Sequence, residues 1–237
     1  MRGSPDRESL FVASKVWNTN HGHVREACET TLDALGAGAL DCYLLHWPTA
    51  WEYTGPLVDL ASLPPAEQEA RTFPRDGDGE PAESDVTLEE AWRGLEAVHD
   101  DGLARTIGLC NVGVETLTEV LAFAEVPPAV VQVERHPYRP RRDLVAFCHA
   151  RGIRVVAHSP LSAPGLLDEP AVAEVAEARD ATPAQVVLAW NVGEGVVPVP
   201  SSVDPDHVVE NAAAAGLRLS AAERERIDGL SNPGFER

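Results

Sequence analysis

The chain has 237 residues, 44% of them hydrophobic, enough for one large core, and carries a formal net charge of −19 from 38 acidic against 19 basic side chains. Such a surface repels nucleic acid and anionic membrane, which excludes both as main partners. No run approaches ~18 consecutive apolar residues, and "MRGSPDRES" lacks the apolar stretch of a signal peptide, so a soluble cytoplasmic protein is expected. Excess acid together with near-absent lysine gives the chain the halophile-like composition of a protein from a salt-loaded cytoplasm.

Strand-like runs alternate with helical ones along the chain. "SLFVASKVW" reads as a strand and "HVREACETTLDAL" as a helix ending at Gly36. "LDCYLLHW" is the next strand; "LEEAWRGLEAVHDDG" is a helix opened by a capping box of Thr87 and Glu90. Then come the strand "RTIGLCNV", the helix "VETLTEVLAFA", the strand "AVVQVERH", the helix "RRDLVAFCHARG" and the strand "IRVVAHSPL". Two helices follow, "PAVAEVAEARD" and "PAQVVLAWNVG", the second capped by Thr182 with Pro183 in its first turn. "GVVPVP" is a short strand, Asp204 and Pro205 open the helix "PDHVVENAAAAG", and a brief strand "LRL" precedes a last helix boxed by Ser220 and Glu223. Cys28, Cys42, Cys110 and Cys148 show no metal-ligand spacing and suit reduced, buried thiols.

This rhythm predicts an α/β fold of TIM-barrel type with seven strands, where a closed barrel has eight. One domain over 1–237 is expected, with residues 48–85, rich in Pro, Gly and acid, forming a long loop on the active-site side. In a parallel barrel the carboxyl ends of the strands converge on the mouth. Lys15, Trp17 and Asn18 stand at one such end, His46 and Trp47 at the next, then Cys110 and Asn111, then Gln132, Glu134 and His136, then His158 and Ser159, and last Ser201 and Ser202. Alternation puts Lys15 on one face with Phe11, Ala13 and Trp17, and His46 with Cys42 and Leu44. Lys15 is the only lysine, against 18 arginines. An ammonium is a compact charge whose pKa can be tuned, which a guanidinium cannot offer.

"LFVASKVWNTNH", "LDCYLLHWP", "IGLCNV", "PAVVQVERHPY", "VVAHSPL", "TPAQVVLAW" and "SVDPDHVVEN" resemble, in order and spacing, successive motifs of the aldo-keto reductase family from about Leu10 to Leu230. The stretch "FPRDGDGEPAESDVTLEEAWRGLE" further resembles aldehyde, xylose and diketogluconate reductases. The resemblance implies reduction of aldehyde, ketone or sugar carbonyls by NADH or NADPH on a (β/α)8 barrel. It assigns Lys15 and His46 to catalysis and Trp17 and Trp47 to an apolar substrate pocket. Asn111 and Gln132 match the side chains that hold the carboxamide of the nicotinamide. Cys110 stands where serine is usual, and His158 where an aromatic ring stacks on the nicotinamide. Ser159 and Leu161 follow along the pyrophosphate. Ser201, Ser202, Val203, His207, Glu210 and Asn211 match the adenosine end. Members that use NADPH carry a lysine and an arginine where Ser201 and His207 stand, with Asp204 and Asp206 between them here. Carboxylates without a fixed cation suit a phosphate dianion poorly, so NADH is favoured.

The family's tyrosine acid and its aspartate belong to a first βα unit upstream of the lysine motif. Only fourteen residues precede Lys15; they contain no tyrosine, and Asp6 in "SPDRES" resembles the linker just before that strand. A chain truncated before its first βα unit is therefore expected, with impaired turnover. The tail "SNPGFER" is also short where the family uses its tail to choose substrates. Tyr53, on the long loop, is the one plausible substitute phenol; Tyr43 should face the outer helices. Two alternatives remain: a non-catalytic dinucleotide-binding relic, and a metal enzyme using His21, His23, His46 or His136. No carboxylate–histidine spacing supports the metal. The oligomeric state is unreadable.

Overall fold

The computed structural model describes residues 6–231 and 235; the opening of "MRGSPDRES" and residues 232–234 and 236–237 of the short tail lie outside them. Two compact units divide the chain, Met1–Val131 and Gln132–Arg237.

In the first unit β1 (Ala13–Val16), β2 (Cys42–Leu45) and β3 (Ile107–Cys110) run parallel, with Lys15 beside Leu44 and Leu44 beside Gly108. Gly108 is needed there, because a Cβ would meet the Val130 carbonyl oxygen at 2.1 Å and a Leu44 methyl at 2.7 Å. β4 (Val130–Glu134) begins in this unit and continues into the second. The helices are α1 (Val24–Leu35), α2 (Pro65–Thr72), α3 (Leu88–Asp100) and α4 (Val114–Phe123). Gly36 ends α1 in the left-handed conformation at φ 61°, as its sequence position predicts, and Thr87 and Glu90 close both halves of the α3 capping box. Every residue of β2 and β3 is buried, whereas Ala13 and Phe11 are exposed, Phe11 at 71%. The stripe of Phe11, Ala13 and Lys15 is thus less covered than the strands beside it: β1 pairs on one side only among the described residues.

The second unit contains α5 (Arg142–His149), β5 (Arg154–His158), α6 (Pro170–Ala178), α7 (Pro183–Gly193), β6 (Val197–Val199), α8 (Pro205–Ala213) and α9 (Ala221–Asp228). β5 and β6 pair in parallel, with His158 beside Val199. Its core gathers Leu166, Val172, Val175, Val186, Val187, Trp190 and Ile227. Thr182 caps α7 as expected and does so in a capping box with Gln185, Ser220 forms the expected box with Glu223, and Asp204 caps α8 by accepting from the Asp206 amide at 2.9 Å.

The described residues hold six strands, which corrects the expected count of seven. "LRL" pairs with no strand among the described residues; Leu217 and Leu219 instead pack as a connector against the apolar cluster of this unit. A three-residue run between two helices is too short to gain a ladder, so its apolar side chains decide its place. Residues 48–85 are not all loop either. They hold α2, a short 3-10 turn at Leu60–Ser62 and two isolated antiparallel bridges, Trp51 with Glu83 and Arg75 with Pro81. All four cysteines are buried free thiols, and no described helix is long and apolar enough to cross a membrane.

Candidate active site

In the first unit the carboxyl ends of β1 and β2 bring Lys15, Trp17 and His46 together. The Val16 carbonyl accepts from the His46 amide at 3.0 Å, which fixes the exit of β2 against β1. The His46 ring then meets Trp17 edge to face at 4.8 Å between centroids. Beyond β3 the chain turns at Asn111, in the left-handed region at φ 57°, and its side-chain amide donates to the His46 carbonyl at 2.8 Å. Three successive strand ends are thus tied to one another by backbone atoms of His46.

Lys15 is half-buried. Among the described residues no carboxylate lies within ion-pairing distance of its ammonium. Its charge is felt instead by two buried thiols of the same face, Cys42 and Cys110. Burial pushes the Cys110 thiol up to about 12, and Lys15 works against that rise. Cys42, Leu44 and Cys110 form one buried cluster, so β2 points these side chains as alternation predicts.

The long insert supplies a wall that sequence reasoning missed. Trp17 lies edge-on to Trp51 at 5.8 Å and to Phe73 at 5.3 Å, and its indole N–H donates to the Thr72 carbonyl at 2.6 Å. The end of α2 and the bridge at Trp51 thereby pin residues 48–85 onto the end of β1. Two aromatic residues flanking a Pro- and Glu-rich stretch were the only signal in the sequence. Trp47, expected in the pocket, is 45% exposed and has no ring contact among the described residues.

None of the three tyrosines has the lowered pKa an acid beside an ammonium would show. Burial, with Cys28 beside it, raises Tyr43, which is fully buried toward α1 as predicted. Tyr53 is raised too; it stacks on His23 at 3.7 Å, and its hydroxyl donates to Glu26 at 3.3 Å. Tyr138, in the second unit, donates to Glu169 and stands at about 12, raised by burial and by that carboxylate. His21 is 2% exposed with no hydrogen-bond partner for either ring nitrogen among the described residues, and burial holds it down at about 4. Among those residues no three or more His, Cys, Asp or Glu side chains are arranged to hold a metal.

In the second unit Gln132 is 7% exposed, and its side-chain amide makes no hydrogen bond among the described residues. A buried primary amide with free donors and acceptor suits another amide. His158 closes β5, its Nδ1 3.0 Å from the Ser159 hydroxyl, and Ser159 turns the chain at φ 51°. Leu161, Ser201, Ser202, His207, Glu210 and Asn211 line one cleft of about 370 Å³ at the start of α8. Asp168, on the 3-10 turn Leu166–Asp168, lines it as well and was not singled out from sequence. Val203 is fully exposed and lines no part of it.

The family model described as "Aldo/keto reductase family" matches residues 2–232. The chain belongs to the aldo/keto reductase family. It is 36% identical to mouse aldo-keto reductase family 1 member A1 and 38% identical to the cattle protein of that name, across 95% of this chain and 68% of each relative. Among solved structures, the aldose reductases of Schistosoma japonicum and Giardia lamblia each superpose with a TM-score of 0.84 over 95% of the chain. They are 33% and 30% identical, and 70% and 73% of their lengths are covered. This aldo/keto reductase family member is thus an α/β protein of TIM-barrel type, and its relatives are oxidoreductases.

Proposed function

We propose that this chain carries the residues of an NAD(P)H-dependent carbonyl reductase, acting on aldehydes, ketones or sugars, with NADH preferred. The observation that carries the reading is Lys15. The chain's only lysine stands at a strand end with no carboxylate paired to it among the described residues, on the strand next to His46. An unpaired charge at such a place costs stability, and a cation next to where a phenol would ionise repays the cost in chemistry. Buried free thiols throughout suit a reducing cytoplasm.

A bound nicotinamide dinucleotide would contribute a hydride. Residues that would hold it are Asn111 and Gln132 for the carboxamide, His158 for the ring face, Ser159 for the pyrophosphate, and the α8 cleft for the adenosine. The fit is good for amides and hydroxyls: the Gln132 amide is free, and Ser201, Ser202 and Asn211 line the cleft. It is poor for an extra phosphate, because neither lysine nor arginine lines that cleft. His46 donates an N–H to the carbonyl oxygen and orients it. Trp17, Trp51 and Phe73 exclude water from that oxygen. Lys15 would lower the pKa of a phenol placed beside it, and no described tyrosine is lowered in this way.

A second reading, a dinucleotide binder without turnover, is favoured by one observation: all three tyrosine phenols are raised rather than lowered. Titration of the 237-residue chain with NADH, followed by tryptophan quenching, tests what both readings share. Saturable binding weakened about tenfold or more by Gln132→Ala supports it. Failure of NADH and NADPH alike to bind contradicts both readings.

A further inference from the structure

The cleft at the start of α8 is lined by carboxylates and by neither lysine nor arginine. Two carboxylates line it, Asp168 and Glu210, and Asp204 and Asp206 open the helix α8. Asp204 caps α8 through the Asp206 amide, and Glu210 accepts from the Thr182 hydroxyl. The Asp168 carboxylate makes no hydrogen bond or ion pair among the described residues, although the residue lines the cleft. Its position is fixed from below, because Leu166 in the same 3-10 turn is fully buried in the core of this unit. The same lining holds hydroxyls and an amide, Ser201, Ser202 and Asn211, and its one imidazole is His207; neither lysine nor arginine lines it.

We propose that Asp168 is the residue that makes this cleft select a dinucleotide with a free 2′-hydroxyl, NADH over NADPH. The inference rests on the dinucleotide reading above. A carboxylate with both oxygens free accepts a hydrogen bond from a ribose hydroxyl, and an ionised acceptor makes that bond strong. A 2′-phosphate at the same place sets a dianion against a carboxylate, with no guanidinium or ammonium in the lining to offset it. The one backbone donor that Asp204 occupies is also withdrawn from any phosphate.

The test is equilibrium binding of NADH and of NADPH to the 237-residue chain and to three variants, read by tryptophan quenching or calorimetry rather than turnover. The unaltered chain is expected to prefer NADH by about tenfold or more. Asp168→Asn, nearly isosteric at an exposed position, is expected to shrink that preference about fivefold, mostly through weaker NADH binding. Asp168→Lys should reverse it. Glu177→Gln, an equal change of net charge on the exposed face of α6, should leave the ratio alone. If NADH is preferred and Asp168→Asn leaves the ratio unchanged, or Glu177→Gln shifts it as much, Asp168 is not the determinant and the dinucleotide reading stands. If NADPH binds as tightly as NADH, the selectivity is wrong and the dinucleotide reading again stands. Absence of binding by both overturns the reading and the inference together.

Discussion

Each unit holds one telling cation, and the two are treated in opposite ways. Arg135 in the second unit is fully buried with every arm engaged. Its Nε donates to the Pro140 carbonyl at 2.9 Å, one terminal nitrogen to Asn191, and the other pairs with Glu194. The guanidinium lies 4.0 Å from the Trp190 ring centroid, and the Trp190 N–H in turn donates to Asp228. Even so, burial lowers its pKa to about 10. Lys15 in the first unit is half-buried with no carboxylate paired to it among the described residues. A charge kept for the fold collects partners; a charge kept for chemistry is left incomplete, and its partners arrive with the reaction.

The largest expected effect breaks that comparison if it fails. Arg135→Ala should cost about 3–5 kcal/mol in urea unfolding, because it strands Glu194 and Asn191 and unpacks Trp190. Lys15→Met should stay within about 1 kcal/mol of the unaltered chain, or stabilise it. Equal losses at the two positions would make Lys15 a structural cation.

His21 sharpens the same contrast, as a second polar group of the first unit left without partners. Its folded pKa of about 4 lies below the ordinary 6.5, so the unfolded chain binds the extra proton between those values. The stability tied to neutral His21 is complete above pH 6.5 and is lost as pH falls toward 4, to a limit of about 3 kcal/mol. Urea titrations of the chain and of His21→Gln at pH 7 and 4.5 should show the smaller acid loss in the variant.

A smaller effect concerns the aromatic wall. Phe73→Ala, at 43% exposure, should cost about 1 kcal/mol and loosen residues 48–85, seen as faster proteolysis between Trp51 and Asp85. Smallest of all, salt should raise the melting temperature by a few degrees between about 0.05 and 1 M potassium chloride, since screening relieves the repulsion of a −19 chain.

Much of this was legible before any coordinates. Capping residues are local, so Thr87, Thr182, Asp204 and Ser220 mark their helices in the sequence as plainly as in the structure. Strand ends are local too, which is why Lys15, His46 and Gln132 could be named. What failed depended on distant packing. "LRL" has strand composition but no strand to pair with among the described residues. Trp51 and Phe73 acquire a role only because α2 and its flanks fold back onto Trp17. Asp168 matters only because its 3-10 turn meets the start of α8, a distant segment of the sequence whose approach no periodicity reports.

The most direct test of the account is carbonyl-dependent oxidation of NADH by the 237-residue chain, measured at saturating cofactor with a simple aldehyde and with an aldose. The account predicts cofactor binding together with turnover near background, because no phenol is brought down beside Lys15. Oxidation at rates typical of enzymes, about 1 per second or faster, would contradict it and require a proton donor that none of these tyrosines explains.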